Sequence, residues 1–164
     1  MMAMVRPVFK IAAFLLSAFA FGPASAQTTA AMANPFELLL GKWGGSGMMT
    51  LEGGRKQRLA CDASYSGSAL QLVIIINCKG GESKVQMQAK LSSNAGRLLG
   101  IWEEKSYRVA GSISGVATQN KISFNILGAV QGKMNVSYSK TRQQVNITAK
   151  GVSLQAVTMN LTRR

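Results

Sequence analysis

The chain has 164 residues, of which 19 are lysine or arginine and six are acidic, so its formal net charge at pH 7 is +13. It contains no histidine, which excludes a zinc or haem iron held by histidine and a serine nucleophile activated by histidine. We therefore predict a protein that is not an enzyme and that holds neither a metal nor another cofactor.

The first 26 residues have the pattern of an export signal. Arg6 and Lys10 supply a positive start, the apolar run 11–21 is too short to span a bilayer comfortably, and Ala24-Ser25-Ala26 has the small residues of a cleavage site. We predict a signal peptide at 1–26, cleaved after Ala26, and a periplasmic or secreted protein that is not integral to the membrane after cleavage. An uncleaved membrane anchor is the alternative.

After Ala26 the chain keeps 17 basic and six acidic residues, a net charge of +11. In an exported protein this charge favours an anionic envelope surface, acidic glycans or an acidic protein partner over nucleic acid. The alternative is a diffuse, solvated charge, because the basic residues are scattered and only Arg55-Lys56-Arg58 and Arg163-Arg164 are clustered.

Residues 27–40 are predicted to form an N-terminal arm and a short helical turn. Positions 27–33 are small or polar and have no apolar period, which is typical of a flexible arm. Asn34 can cap a helical turn that has Pro35 at its first position. Phe36 and the leucines at 38–40 give this turn an apolar face, which we expect to close one end of a domain spanning 41–164.

From Gly41 onward, apolar and polar residues alternate with a period of two, which is typical of half-buried β-strands. About nine or ten such segments are separated by short turns, and no helical period interrupts them. We predict an all-β fold, an antiparallel up-and-down barrel of about 8–10 strands, because closing the sheet removes its exposed edges.

The alternation predicts an inward-facing row of side chains for each strand. Three of these rows are Leu59, Cys61, Ala63 and Tyr65, then Leu70, Leu72, Ile74, Ile76 and Cys78, and later Tyr107, Val109, Gly111, Ile113 and Gly115. For 98–102, either Leu98, Gly100 and Trp102 or Leu99 and Ile101 face inward. Val73 and Ile75 make their strand apolar on both faces, so we expect the N-terminal turn or a partner to cover it outside.

Cys61 and Cys78 are predicted to form a structural disulfide, because an exported chain with an even number of cysteines favours pairing. They lie on inward rows of adjacent strands. A hairpin that turned tightly at Gly67 would leave them out of register, so we expect a bulge or a longer turn at 66–69. A bridge over this loop length stabilises the fold by about 3 kcal/mol.

Gly41-Lys42-Trp43 begins the first strand after the helical turn, and Arg163 and Arg164 stand near the end of the last strand. In these features the chain resembles the lipocalin and calycin group of small barrels. The resemblance implies that Trp43 closes one end of the barrel and that Arg163 or Arg164 packs across its ring, a cation–π contact of about 1 kcal/mol. The chain is also similar to the bacterial periplasmic metalloprotease-inhibitor barrel, which has a Gly-x-Trp start, one disulfide and an N-terminal arm that plugs a protease.

Seven side chains on the predicted inward rows are candidates for lining a ligand-binding lumen: Tyr65, Met87, Trp102, Glu104, Tyr107, Met134 and Tyr138. Methionine offers adaptable apolar surface and tyrosine a hydroxyl, although both also fill cores. Glu103 and Glu104 point to opposite faces of a strand, so they cannot act together as a glycosidase pair. Glu104 is expected to pair with an inward lysine or arginine or to orient a ligand.

The leading hypothesis is an exported, non-enzymatic, calycin-like protein of the bacterial envelope that binds a small apolar or amphiphilic ligand in its lumen. Its basic exterior would dock on an anionic envelope surface or an acidic partner. One alternative is a protease inhibitor or protein-interaction module of the periplasm. The other is a structural envelope protein with a filled core.

Overall fold

A computed structural model of the protein describes residues 34–164. The predicted signal peptide at 1–26 and the predicted arm at 27–33 lie outside the described residues. Within 34–164, no helix is long and apolar enough to cross a membrane.

The described chain forms one closed sheet of ten antiparallel strands. Each strand pairs with its neighbours in sequence, and the last strand returns to pair with the first. This confirms the predicted all-β, up-and-down barrel. The strands are β1 (Gly41–Leu51), β2 (Lys56–Gly67), β3 (Gln71–Gly80), β4 (Ser83–Asn94), β5 (Arg97–Glu104), β6 (Val109–Thr118), β7 (Lys121–Gly128), β8 (Gln131–Tyr138), β9 (Arg142–Lys150) and β10 (Leu154–Arg163), with a 3-10 turn at Glu52–Gly54.

Side chains alternate between the interior and the solvent along the strands, as the period of two predicts. In β5, Leu98 and Trp102 are buried while Leu99 and Ile101 are more than 60% exposed, which decides between the two predicted faces. The predicted inward position of Leu70 is wrong, because this side chain is 65% exposed. Its apolar period continues that of β3, but the residue lies in the turn before the strand begins.

The hairpin of β2 and β3 brings the two cysteines directly opposite each other, and they form the predicted disulfide. The pairing runs without a bulge to Gly67 opposite Leu72, so the register is set by a longer turn rather than by an inserted residue. The backbone N–H of Ser68 donates to the carbonyl of Gln71 and closes this turn (2.8 Å).

The N-terminal turn covers one end of the barrel, which we call the closed end. The side chain of Asn34 accepts a hydrogen bond from the backbone N–H of Phe36 (2.9 Å), and Leu40 N–H donates to Phe36 carbonyl (3.0 Å), which completes one helical turn. Phe36 and Leu39 are fully buried there. The expectation that this turn covers the outside of β3 is therefore wrong, and Ile75 on that face is 37% exposed.

Trp43 and Arg163 hold the closed end together. They are opposite each other in the pairing of β1 with β10, and the Arg163 guanidinium lies 4.5 Å from the centre of the indole ring. The indole N–H donates to the Leu39 carbonyl (2.8 Å). The guanidinium donates to the carbonyls of Leu38, Leu40 and Lys140. One arginine thus ties the last strand to the first strand, to the N-terminal turn and to the turn between β8 and β9.

Arg164 has a different position from its neighbour. It lies on the outer surface, where its guanidinium forms an ion pair with Asp62 (2.6 Å). It packs over Gly44, since a Cβ at that position would lie 2.1 Å from the Nε of Arg164. Of the two arginines proposed to close the barrel, Arg163 is therefore the one that stacks on Trp43.

Replacing Arg163 with lysine should lower the free energy of unfolding by about 1–3 kcal/mol, because lysine keeps the charge but loses the planar stacking and the forked donors. The measurement is urea denaturation followed by tryptophan fluorescence. Arg142→Lys, at an exposed position of the same end, is the matched control and should change stability by less than about 0.5 kcal/mol. Equal effects of the two substitutions would contradict this account of the closed end.

Candidate ligand cavity

The interior of the barrel differs between its two ends. Near the closed end it is filled by large, fully buried side chains such as Trp43, Phe36 and Phe124. Toward the opposite end, which we call the open end, a cavity of about 190 Å³ remains. Its wall is almost entirely apolar and includes Met49, Ile76, Met87, Trp102, Ile147 and Val157. It opens where the turns at 52–55, 81–82, 105–108, 129–130 and 151–153 meet.

Three of the seven candidate lumen residues lie outside the cavity wall. Met134 is fully buried in the packed interior. Tyr65 is buried as well, and its hydroxyl accepts a hydrogen bond from Nε2 of Gln143 (2.7 Å). The Tyr138 hydroxyl donates to the carbonyl of Pro35 and lies 3.3 Å from the carbonyl of Thr118, which ties β8 to the N-terminal turn and brings it close to β6. These tyrosines stabilise the closed half and do not face the cavity.

The other four candidates, Met87, Trp102, Glu104 and Tyr107, line the cavity. Tyr107 differs from the prediction because it lies in the turn between β5 and β6 rather than on an inward row, and it is 63% exposed. The strand begins only at Val109, so the period of two does not extend back to this residue. Tyr107 therefore forms part of the cavity mouth.

Trp102 lies across β6 because Gly111 leaves room for it. The two residues are opposite each other in the sheet, and the indole N–H reaches past the glycine to the Leu127 carbonyl on β7 (3.2 Å). A Cβ at position 111 would lie 1.8 Å from that carbonyl oxygen and 2.8 Å from the indole nitrogen. The room beside Gly111 is thus occupied by an aromatic side chain of the protein itself.

Glu104 is the buried acid of the cavity wall, and its carboxylate holds the mouth together. It accepts hydrogen bonds from the backbone N–H groups of Gln86 on β4 and of Tyr107, both at 2.6 Å. These two backbone donors take the place of the expected lysine or arginine partner. The neighbouring Glu103 points outward and pairs with Lys105 (3.5 Å).

The residues that form the mouth of the cavity are not among those predicted from the sequence. Val130, Val152 and Ser153 lie in turns, where the period of two gives no information on which residues face inward. The signal that could have found them is topological. In an up-and-down barrel every second turn lies at the same end, so the apolar residues of alternate turns gather around one opening.

One sequence pattern typical of a catalytic site lies away from the cavity, and no metal-binding group is found among residues 34–164. Ser137-Tyr138-Ser139-Lys140 has the Ser-x-x-Lys spacing, but Ser137 and Lys140 are exposed at the closed end. Within residues 34–164, no three acidic or cysteine side chains gather in a group that could hold a metal ion.

No family model and no curated protein sequence matches the chain. Several solved structures are similar in fold, and two of them follow. Rv2717c from M. tuberculosis superimposes with a TM-score of 0.62 at 12% sequence identity, covering 82% of this chain and 98% of its own. The S-type phycobiliprotein lyase CPES from Guillardia theta gives a TM-score of 0.58 at 5% identity, covering 79% of this chain and 89% of its own.

The fold is a closed antiparallel barrel similar in shape to these two structures. At these identities the two structures show the shape of the barrel and nothing about its ligand. The interior of this barrel is divided into a closed, packed half and an open, apolar half.

Replacing Glu104 with glutamine should lower the free energy of unfolding by about 1–3 kcal/mol, because the amide cannot accept both backbone hydrogen bonds as a carboxylate does. The turn at 105–108 should also exchange its amide hydrogens faster. Glu103→Gln is the matched control and should leave both measurements nearly unchanged. Unchanged exchange at Gln86 and Tyr107 in Glu104→Gln would count against the role of this carboxylate.

Burial raises the pKa of Tyr138 to about 12, and it raises the pKa of Tyr65 as well, since the ionised phenolate would lose its hydration. Above pH 10 the unfolded chain releases these protons while the folded chain retains them, so stability present below pH 10 should fall as the pH rises toward 12. Denaturation series across this interval should show that fall. Tyr138→Phe should flatten it, and an equally steep fall in this variant would contradict the assignment.

Proposed function

We propose that the protein is an exported, non-enzymatic binding protein of the bacterial envelope that holds a small apolar or amphiphilic ligand in the open-end cavity. The observation that carries the proposal is an apolar cavity with a mouth, inside a barrel whose other half is packed. Ligand sites are typically concave and mostly apolar, with a few polar groups near the opening. A structural protein with a filled core would not need this space.

The volume of the cavity limits what it can hold. A dry cavity of about 150 Å³ lined by aliphatic and aromatic side chains binds benzene. The cavity of this protein, about 190 Å³, therefore suits one ring or a short length of alkyl chain. A longer ligand would extend through the mouth, where its exposed part would lie among the basic side chains Arg55, Lys105 and Arg108.

The hydrogen bonds of Glu104, the acid of the cavity wall, support a binding function rather than a catalytic one. One similar structure is a lyase, but a catalytic acid or base needs an atom within reach of the substrate. Both backbone hydrogen bonds of Glu104 give its carboxylate a structural task. The rest of the wall offers apolar contact, which holds a ligand without changing it.

The disulfide supports export. It is buried between β2 and β3, and protein disulfides persist in oxidising compartments such as the periplasm. The positive start and the small-residue cleavage pattern of 1–26 point the same way.

A second candidate function is a protein-interaction module. The outer face of β5 to β7 carries the exposed apolar side chains Leu99, Ile101 and Leu127, with Ser112 between the last two in the sheet register. Exposed apolar patches of this kind occur at protein interfaces. The predicted inhibitor arm at 27–33 would act from the closed end, where the described chain begins.

Ile147→Trp places a large ring in the cavity wall, and Ile101→Trp makes the same change on the outer surface. Excluding about 100 Å² of apolar ligand surface weakens binding by about 2.5 kcal/mol, which is more than tenfold in Kd. We therefore expect Ile147→Trp to weaken binding of the neutral dye N-phenylnaphthylamine at least tenfold, measured by fluorescence titration. The phenyl ring of this dye suits the cavity, while its naphthyl group would extend through the mouth.

Ile101→Trp should bind this dye as the unchanged protein does. A loss in Ile101→Trp with retention in Ile147→Trp would place binding on the outer face and support the interaction module. Failure of the unchanged protein to bind the dye, or alkyl chains of graded length, would overturn the proposed function.

A further inference from the structure

The open end carries a ring of exposed basic side chains, which we call the rim. It comprises the five turns at this end and the three strand residues on either side of each turn. The basic residues of the rim are Arg55, Lys56, Arg58, Lys79, Lys84, Lys105, Arg108, Lys133 and Lys150, and all are exposed.

Little of this charge is neutralised within the described residues. The rim contains four acids, Glu52, Glu82, Glu103 and Glu104, which against nine basic residues leaves a net charge of +5. Only Lys105 forms an ion pair there, with Glu103. The remaining basic groups of the rim stand in solvent around the mouth of the cavity.

The rim contains three exposed apolar side chains, Tyr107, Leu127 and Val152, and two of them stand at turn tips among these charges. Tyr107 at the tip of the β5–β6 turn is 63% exposed, and Val152 at the tip of the β9–β10 turn is 41% exposed. Both also line the cavity mouth. Lys105 and Arg108 flank Tyr107, and Lys150 precedes Val152 by two positions, so each apolar tip is accompanied by positive charge.

The closed end is basic too, and it also carries exposed apolar side chains, but these do not surround an opening. Arg163 is engaged by Trp43 and three carbonyls, and Arg164 is neutralised by Asp62. Five other basic residues remain exposed there: Lys42, Arg97, Lys121, Lys140 and Arg142. Leu70, Leu99 and Val116 are exposed near them, and they lie beside filled core rather than beside an opening. Charge alone therefore does not single out the open end, whereas charge with apolar tips around a mouth does.

We propose that the rim docks on an anionic lipid bilayer, with Tyr107 and Val152 inserted at the interface and the cavity mouth facing the membrane. Basic side chains attract anionic headgroups, while an aromatic ring with a hydroxyl suits the boundary between headgroups and acyl chains. Docking does not require a ligand, but its use as a route between bilayer and cavity rests on the function proposed above.

The charge contribution is tested by sedimentation with vesicles of equimolar phosphatidylglycerol and phosphatidylcholine. Each basic residue near an anionic surface raises partitioning about fivefold, so Arg55→Gln/Arg108→Gln/Lys150→Gln should lower the partition coefficient roughly 100-fold. The matched control, Arg97→Gln/Arg142→Gln/Lys121→Gln, removes two arginines and one lysine from the closed end. It should lower the partition coefficient by much less. An equal or larger loss in the control overturns the proposal.

The orientation is tested with one added tryptophan at each end. Tyr107→Trp and Leu70→Trp replace side chains of nearly equal exposure, 63% and 65%, at the open and closed ends. In the same vesicles made with brominated acyl chains, Tyr107→Trp should be quenched beyond the unchanged protein and Leu70→Trp should not. Quenching of Leu70→Trp alone, or of neither variant in bound protein, overturns insertion of the open end.

Other occupants of the rim give different results. If the protein ignores anionic vesicles but binds the soluble polyanion heparin, and the rim triple variant loses that binding, the rim belongs to a soluble acidic partner and the membrane proposal is wrong. Dye binding in solution, without vesicles, separates the two proposals. Retained dye binding with no vesicle binding overturns only the docking, and vesicle binding without dye binding overturns only the function of the cavity.

Discussion

The stacking of Arg163 on Trp43 is the contact on which the rest of the barrel depends. An up-and-down sheet has two free edges, and here they are the first and last strands. Trp43 and Arg163 are directly opposite where those edges meet, so the same two side chains join the edges and plug the interior. The guanidinium also binds carbonyls at the end of the N-terminal turn, which would otherwise have no donor in the sheet. The contact between Trp43 and Arg163 therefore closes both the sheet and one end of the barrel.

Plugging one end with large rings leaves the other end underfilled. Trp43, Tyr65 and Phe124 fill the interior near the plug, where the indole and the tyrosine hydroxyl both have hydrogen-bond partners. Toward the open end most inward residues have no ring, among them Ile76, Met87 and Ala149, and they leave the cavity unfilled. Trp102 is the large exception, and it lies against the wall over Gly111 rather than across the lumen. The cavity is thus a consequence of how side-chain volume is distributed along the barrel axis.

The period of two predicted the strands and the faces of most residues, because alternation and burial follow from the same pleat. It also placed both cysteines on inward rows, and their even number in an exported chain predicted the disulfide. It failed at the ends of strands. Leu70 and Tyr107 continue an apolar period into turns where the backbone no longer alternates, so both are exposed. The period also gives no information on how far along the barrel axis a residue lies. It therefore places Tyr65 and Met87 in one group of lumen candidates, although only Met87 lines the cavity. The partners of Glu104 are backbone groups, and no side-chain pattern reveals them.

The grouping of the basic residues at one end of the barrel is likewise not visible in the order of the sequence. Along the sequence the basic residues look scattered, and only two short clusters stand out. Up-and-down topology brings alternate turns to one end, so Lys84, Arg108 and Lys150, which are far apart in sequence, surround the same mouth. A membrane surface or an anionic partner contacts the basic side chains as the fold arranges them, and their order along the chain does not matter to it. Whether a strongly basic barrel has a functional surface is therefore decided by which turns share an end and by the apolar side chains that stand among the charges there.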